Sequence, residues 1–239
     1  MGVYHITYVT ELKEICLYFD GECQFSCHGC ITHWHPEDCH LEESASLVKH
    51  QGINIDKVIA YLRRLSFKRV IFLGKEPTQD MDFLPLAKIL KEKFSTYNIF
   101  LTNGWRYIND KALDEVCVSI KAITPQVFKD FTGMDKPERV LENFRRYVTT
   151  HHIKVRAESV LIPNYIDERE IENIACFISR VNKTIPYRID AYIPFDNDRF
   201  PRPTTDEMNK VKAIAQKYLE NVYVLHNGVK VRYPVTRIY

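Results

Sequence analysis

Stretches that resemble strands alternate with stretches that resemble helices along most of the chain. The strand-like stretches are rich in β-branched and aromatic residues, as is typical of parallel strands buried on both faces. Helical periodicity follows them; Ile55, Val58 and Leu62, for example, fall on one helix face. The alternation of six such strands with helices indicates right-handed crossovers in a mainly parallel sheet. The predicted strands are 15–19, 70–73, 99–101, 116–120, 155–162 and 187–193, and the predicted helices are 55–65, 83–94, 137–151, 168–179 and 205–219.

This alternation predicts the α/β fold class, most simply a partial parallel (β/α)6 barrel. An open flavodoxin-like sheet fits the periodicity almost as well, so both remain open at this point. Residues 222–225, Asn227-Gly228 and 229–232 predict a C-terminal β-hairpin with a two-residue turn, at about 222–233. Residues 4–9 are a candidate accessory strand. Because the chain has 239 residues and contains no low-complexity linker, we expect residues 1–239 to form one domain.

The composition limits the classes of partner and compartment. A net charge of +2 gives no reason to expect a nucleic-acid partner. No apolar stretch reaches the roughly 18–20 residues that a membrane span requires, so we expect no membrane segment. The cysteines number seven, and four of them are scattered, which is typical of a reducing compartment. We therefore expect a cytoplasmic protein. Most of the scattered cysteines are expected to be ordinary residues of the hydrophobic core; the four are Cys16, Cys39, Cys117 and Cys176.

The other three cysteines are clustered. Cys23, Cys27 and Cys30 are spaced C-x3-C-x2-C on one short loop after the first predicted strand. Three thiolates so placed can hold three irons of a [4Fe–4S] cube, which leaves one iron free to bind and reduce something. A tetrahedral zinc site is the alternative, with a fourth ligand drawn from Cys39, His28, His33, His35 or His40.

Polar motifs follow the next three strands at the ends where α/β barrels keep their active sites. They are Gly74-Lys75-Glu76-Pro77, Thr102-Asn103-Gly104 and Ser119-Ile120-Lys121. The alternatives are purely structural roles, in which Glu76 caps the following segment and Lys121 is an exposed lysine at a strand end. Four polar motifs at one rim, the cysteine loop included, predict an active site there.

The cysteine spacing, followed by these motifs in this order, resembles the radical S-adenosylmethionine (SAM) superfamily. Within it, the chain is most similar to the small activating enzymes of glycyl-radical enzymes, of the pyruvate formate-lyase activase and anaerobic ribonucleotide reductase activase types. The resemblance covers about residues 12–225, and residues 119–133 and 160–167 add further matches. It implies that a [4Fe–4S] cluster cleaves SAM reductively, giving a 5′-deoxyadenosyl radical that abstracts hydrogen. The implied partners are a glycyl-radical enzyme and a flavodoxin- or ferredoxin-type electron donor.

The resemblance also assigns roles to residues. Cys23, Cys27 and Cys30 would ligate the cluster, whose open iron the amino and carboxylate groups of SAM would chelate. Glu76 would receive the SAM ammonium, and Lys121 would face SAM. The other implied SAM-site residues lie beside the adenine or at strand exits and matched positions: Gly29, Ile31, Gly74, Lys75, Thr102, Asn103, Ser119, Glu158 and Asp196.

The chain departs from the family pattern at several of these positions. Lys75 replaces the second glycine of a Gly-Gly-Glu-Pro motif, which predicts a changed backbone approach to SAM. Leu101 and Ser119 stand where pyruvate formate-lyase activase has aspartates near a monovalent cation, so that cation site is not carried over. Glu158 and Asp196 replace an arginine and a ribose-contacting histidine. A radical SAM enzyme acting on a small molecule or peptide, and a non-catalytic zinc-stabilised module, therefore remain alternatives.

Overall fold

The computed structural model describes residues 2–41, 51–229 and 232–239. Within these ranges, nine strands form one sheet in the spatial order 8-7-6-5-4-3-2-1-9. The second to eighth strands are mutually parallel, and the first and ninth are antiparallel additions at one edge. The strands are β1 Val3–Val9, β2 Glu14–Phe19, β3 Arg69–Gly74, β4 Tyr97–Thr102, β5 Glu115–Ser119, β6 Lys154–Leu161, β7 Tyr187–Ala191, β8 Val222–Leu225 and β9 Thr236–Arg237.

Helices connect most of the parallel strands. Their starts use ordinary capping chemistry: Asp167 accepts hydrogen bonds from the first turn of one helix, and Thr204 forms a capping box with Glu207 in another. Among the described residues, none of the helices has the length and apolar character needed to cross a membrane. The helices are α1 Ile31–Trp34, α2 Ile55–Leu62, α3 Phe83–Phe94, α4 Pro125–Thr132, α5 Glu138–Val148, α6 Glu168–Asn182 and α7 Thr205–Ala215, with a 3₁₀ turn at Pro77–Gln79.

The α/β class and the mainly parallel sheet are confirmed, and chain length shows that the sheet is curved. Strands β8 and β9 lie at opposite edges, but only residues 226–235 separate them. A flat sheet of nine strands would be about 38 Å wide, close to the reach of those residues at full extension. Because this segment also contains a turn at Asn227-Gly228, the edges must approach each other as in a partial barrel.

The two faces of the sheet differ. On the face that packs against helices, Ile15, Leu17 and Phe19 are completely buried. Along β2 and β3 the opposite face is half-buried and carries ion pairs, such as Arg69 Nε to Glu14 Oε2 at 3.3 Å. On β4 and β5 the same face also holds buried residues, among them Ile99 and Cys117, so the expected burial on both faces holds for these central strands and not for β2 and β3.

The predicted C-terminal hairpin lies partly outside the described residues, so its strand pairing stays a prediction. Strand β8 forms as predicted, but it pairs in parallel with β7 and extends the barrel sheet. Described residues 229, 232 and 233 belong to no strand, and residues 230 and 231 lie outside the described part. The chain ends in β9, which pairs with β1 at Thr7 and Tyr8. The Asn-Gly turn forms as predicted, and β8 joins the sheet through its edge against β7.

Candidate active site

Helix α4, which the periodicity did not predict, anchors the cysteine loop. The backbone N–H of Ser26 donates to Thr132 O at 2.8 Å, and that of His28 donates to Phe131 O at 3.1 Å. The helix ends at Gly133, whose φ of +73° suits a left-handed cap. A β-carbon there would lie 2.3 Å from Ser26 Oγ. The loop is thus held by backbone bonds that do not involve the cysteine side chains.

Cys23, Cys27 and Cys30 are half-buried free thiols. Burial raises the pKa of Cys27 to about 12, although the nearby Lys121 ammonium opposes this. In the described part of the chain, the one set of three candidate ligands within 4.8 Å of one another does not include these thiols. Around a single zinc ion the sulfurs would approach to about 3.8 Å. A wider set of three thiols, beside a cation, fits a multi-iron cluster better than one zinc ion.

Cys39 belongs to a different group. Its sulfur lies 3.7 Å from His40 Nδ1, which donates to Asp38 Oδ1 at 2.9 Å. Asp38 also accepts a hydrogen bond from Thr7 on β1 at 3.0 Å. The hydrogen bond to Asp38 raises the pKa of His40 to about 10, so this histidine is a cation paired with a carboxylate. The contacts of this group tie the segment after α1 to the sheet edge.

Lys121, at the exit of β5, is directed towards the thiols. Its Nζ donates to Ser119 Oγ at 2.7 Å. Burial lowers the pKa of Lys121, but Cys27, Glu158 and Cys30 raise it and prevail, so the ammonium stays charged. Lys121 is half-buried among acidic groups. It is therefore not a solvent-exposed lysine at a strand end, which was the purely structural alternative.

Glu76 is fully buried and joins the exits of β3 and β4. Its Oε1 accepts hydrogen bonds from Thr78 N at 3.2 Å, Thr78 Oγ1 at 2.6 Å and Thr102 Oγ1 at 2.9 Å. Its Oε2 accepts one from Asn103 N at 2.8 Å. Burial raises the pKa of Glu76 against the effect of these bonds. The structure therefore shows the capping role directly, whereas a role towards the SAM ammonium remains a prediction.

Gly74, and not the lysine after it, makes the close backbone approach at this rim. Its φ is +115°, and a β-carbon would lie 2.5 Å from both Phe19 N and Phe19 O. Its carbonyl accepts a hydrogen bond from Thr32 Oγ1 at 3.0 Å. Lys75 directs its side chain to the surface, where Nζ lies 3.2 Å from Asp20 Oδ1. Lysine at position 75 therefore places no side chain at the close backbone contact, which Gly74 makes with Phe19.

Asn103 links the β4 exit to the cysteine loop. Its Nδ2 donates to Cys23 Sγ at 3.5 Å, while its Oδ1 accepts from Gln24 Nε2 at 2.9 Å and from Trp105 N at 3.0 Å. Phe25 packs edge-on against the Trp105 ring at 5.7 Å. Asn103 therefore holds one thiol in place.

Glu158 belongs to a charged network inside the barrel. It pairs with Ser119 on β5 and with Arg188 on β7 in the strand register. Arg188 Nη2 donates to Glu158 Oε2 at 2.7 Å, and Arg188 Nε lies 2.8 Å from Asp190 Oδ1. Burial would raise the pKa of Glu158, but Arg188 and Lys121 hold it below its usual value. Burial raises the pKa of Asp190 to about 6, with Arg188 opposing. The sequence-level match did not identify Arg188.

Tyr192 and Asp198, from the loop after β7, hold the cysteine loop in place. The sequence match had assigned Asp196, in the same loop, to the SAM site. Asp196 itself is exposed at the turn. Asp198 accepts hydrogen bonds from Tyr192 OH and from His28 Nε2, the latter at 3.1 Å. Gly29 has a φ of +65°, and a β-carbon there would lie 1.8 Å from Tyr192 OH. No sequence motif marks this contact, because the residues are more than 160 positions apart.

Replacing Gly29 with alanine is expected to lower the free energy of unfolding by about 2 kcal/mol, through left-handed strain and the clash with Tyr192. For a chain of this size this corresponds to about 4–8 °C in Tm. The double variant G29A/Y192F should recover part of the loss, since it removes the clashing oxygen. Thermal unfolding of both variants and of Y192F tests this, and a strictly additive double variant would contradict it.

Aromatic rings also lie beside the cysteine loop, on the side of Tyr192 and Asp198. Trp34, in α1, stacks on Phe195 with ring centres 4.1 Å apart. His28 lies against both Phe195 and Phe200. Ile31, the first residue of α1, is exposed on this surface. These ring contacts pack the loop after β7 against α1 and the cysteine loop.

Comparison with known proteins agrees with this arrangement. A sequence model described as the Radical SAM superfamily matches residues 19–177, more than half of the chain. A Methanocaldococcus jannaschii protein is 29% identical over 91% of this chain and 82% of its own length. Its assigned name, glycyl-radical enzyme activating enzyme, is itself provisional. GTP 3′,8-cyclase of Pasteurella multocida is 26% identical, over 61% of this chain and 44% of the cyclase.

Solved structures agree on the fold. Streptococcus suis SuiB, bound to S-adenosylmethionine, superimposes with a TM-score of 0.67 at 13% identity. The match covers 92% of this chain but 51% of SuiB, so this chain spans about half the length of that protein and of the cyclase. At this identity the likeness concerns the fold alone.

Proposed function

This chain belongs to the radical SAM superfamily, and from that membership we propose that it activates a glycyl-radical enzyme by removing a hydrogen atom from a glycine Cα. One observation carries the proposal: the relative named for that activity matches over 91% of this chain and 82% of its own length. The cofactors are a [4Fe–4S] cluster and SAM. When bound, they supply one-electron cleavage of SAM, whose products are methionine and, after hydrogen abstraction, 5′-deoxyadenosine.

The residues of the chain would bind and shield these groups. Cys23, Cys27 and Cys30 would ligate the cluster, and their loop is held in place by α4 independently of the thiols. Burial raises the pKa of Cys27, and the Lys121 ammonium offsets part of this by favouring the thiolate form. Buried Glu76, which accepts four hydrogen bonds, fixes the rim where the SAM ammonium would lie.

The other SAM-site candidates remain proposals at the positions described above. Thr102 and Asn103 are buried beside Glu76, whereas Lys75 and Asp196 are exposed and are the weakest candidates. We also propose that residues 1–239 form one domain, that the protein is cytoplasmic, and that a protein substrate and a flavodoxin- or ferredoxin-type donor are its partners.

The test is anaerobic. The protein is reconstituted with iron and sulfide, reduced with dithionite and mixed with SAM, and 5′-deoxyadenosine is measured with and without pyruvate formate-lyase or an anaerobic ribonucleotide reductase. A glycyl-radical EPR signal on either partner, formed together with 5′-deoxyadenosine, is the expected result. SAM cleavage that leaves no radical on either protein would contradict the activase role while retaining the radical SAM chemistry.

A second candidate is modification of a small molecule, favoured by the similarity to a GTP cyclase over 61% of this chain. Consumption of GTP coupled to SAM cleavage, in the same assay without a protein partner, would support this candidate over the first.

A further inference from the structure

A basic cavity of about 630 Å³ lies between the segment after β4 and helix α5. Four of its lining residues are cationic and two are acidic, so its walls carry a net positive charge although the whole chain is nearly neutral. The cations are Arg106, Lys136, Arg139 and Arg146, and the acids are Glu138 and Glu142. None of them takes part in the site described above.

Two of the cations are held in place by aromatic rings. The Arg139 guanidinium lies 4.6 Å from the centre of the Trp105 ring, and its Nε donates to Trp105 O at 3.0 Å. The Arg146 guanidinium lies 3.9 Å from the centre of the Tyr107 ring. Stacking fixes the plane of a guanidinium and leaves its edge able to bind carboxylates in pairs. The cavity is thus preorganised for carboxylate groups.

Hydrogen bonds through Asn103 connect the wall of this cavity to the cysteine loop. Trp105 lines the cavity, and its N–H donates to Asn103 Oδ1 at 3.0 Å. Asn103 Nδ2 in turn donates to Cys23 Sγ at 3.5 Å. Two hydrogen bonds and one side chain therefore connect the cavity wall to a thiol that would ligate the cluster.

We propose that this basic cavity is the docking site of an acidic electron-donor protein that reduces the cluster, an inference that rests on the proposed function. Carboxylates of the donor pair with Arg139 and Arg146, which places its redox group next to Trp105. The donor is oxidised by one electron and the cluster is reduced by that electron; no bond is made or broken. Redox encounters of this kind are small, transient and steered by charge.

The test uses a recombinant flavodoxin as the probe and the reconstituted protein. Flavodoxin binding, measured by fluorescence anisotropy at low salt, should weaken about tenfold in R139Q/R146Q and lose most of its salt dependence. The R139K/R146K variant should bind more weakly than the wild type but more tightly than R139Q/R146Q, because lysine keeps the charge but has no planar guanidinium to stack on a ring or to pair with a carboxylate. R63Q/R64Q, at the exposed end of α2, is the matched control and should bind as the wild type does.

A second readout separates docking from chemistry. Flavodoxin-driven formation of 5′-deoxyadenosine should fall about tenfold in R139Q/R146Q, while the dithionite-driven rate stays within about twofold of the wild type. Equal binding by R139Q/R146Q and the control, or an equal fall under both reductants, would overturn the docking site. If the wild type binds flavodoxin with the expected charge dependence but cleaves no SAM under either reductant, the proposed function fails instead.

Discussion

Replacing Cys27 with alanine is expected to lower the rate of SAM cleavage more than about 100-fold and to reduce the iron and sulfide retained after reconstitution. Residues that merely orient a metal ligand already contribute about 10–100-fold, so loss of a ligand should cost more. The variant should still fold, because backbone bonds from Ser26 and His28 to α4 anchor the loop. Iron and sulfide analysis and 5′-deoxyadenosine formation measure the two effects.

The matched control is Cys39→Ala. Cys39 is exposed, and its sulfur contacts His40 rather than the clustered thiols. Its loss should leave the iron content and the rate of SAM cleavage unchanged within about twofold. If the Cys27→Ala protein retained full iron and activity, or if Cys39→Ala lost both, the assignment of the cluster ligands would be wrong.

Replacing Gly74 with alanine is expected to lower the free energy of unfolding by about 3 kcal/mol or more, which corresponds to a fall in Tm of about 6–12 °C. An alanine at φ +115° is strained, and its β-carbon would lie 2.5 Å from backbone atoms of Phe19. No side-chain rotation relieves contact with a backbone, so β2 and β3 would have to separate at the rim. Thermal unfolding of the reconstituted protein measures the loss.

Gly228→Ala is the control for this prediction. The nearest atoms to a β-carbon at Gly228 belong to the His226 imidazole, at 2.9 Å. That ring can rotate away, so we expect a change in Tm of no more than about 2 °C. A Gly74→Ala protein as stable as this control would show that the close approach at the β3 exit tolerates a side chain.

Much of the fold was accessible from the sequence because it depends on local patterns. The six predicted strands correspond to β2–β7 within two residues at every end, since parallel strands are marked by short, dense apolar stretches. Helix α4 was missed because its short sequence carries only three large apolar side chains, those of Val127, Phe128 and Phe131. The Asn-Gly pair indicated the local reversal after β8, whereas the parallel pairing of β8 with β7 joins segments about 30 residues apart that no local pattern connects.

The candidate site likewise combines features that local sequence patterns predict with contacts that only the fold creates. The sequence alone predicts which groups lie at one rim, because parallel strands end at the same edge of their sheet. These groups are the thiols of Cys23, Cys27 and Cys30, the Glu76 carboxylate and the Lys121 ammonium. Only the tertiary structure decided that Tyr192 and Asp198 hold the cysteine loop and that Arg188 pairs with Glu158. Arg188 meets Glu158 across neighbouring strands, whereas Tyr192 and Asp198 reach the cysteine loop from more than 160 residues away because the sheet curves. Curvature depends on the summed packing of all its strands and helices, which no local pattern records.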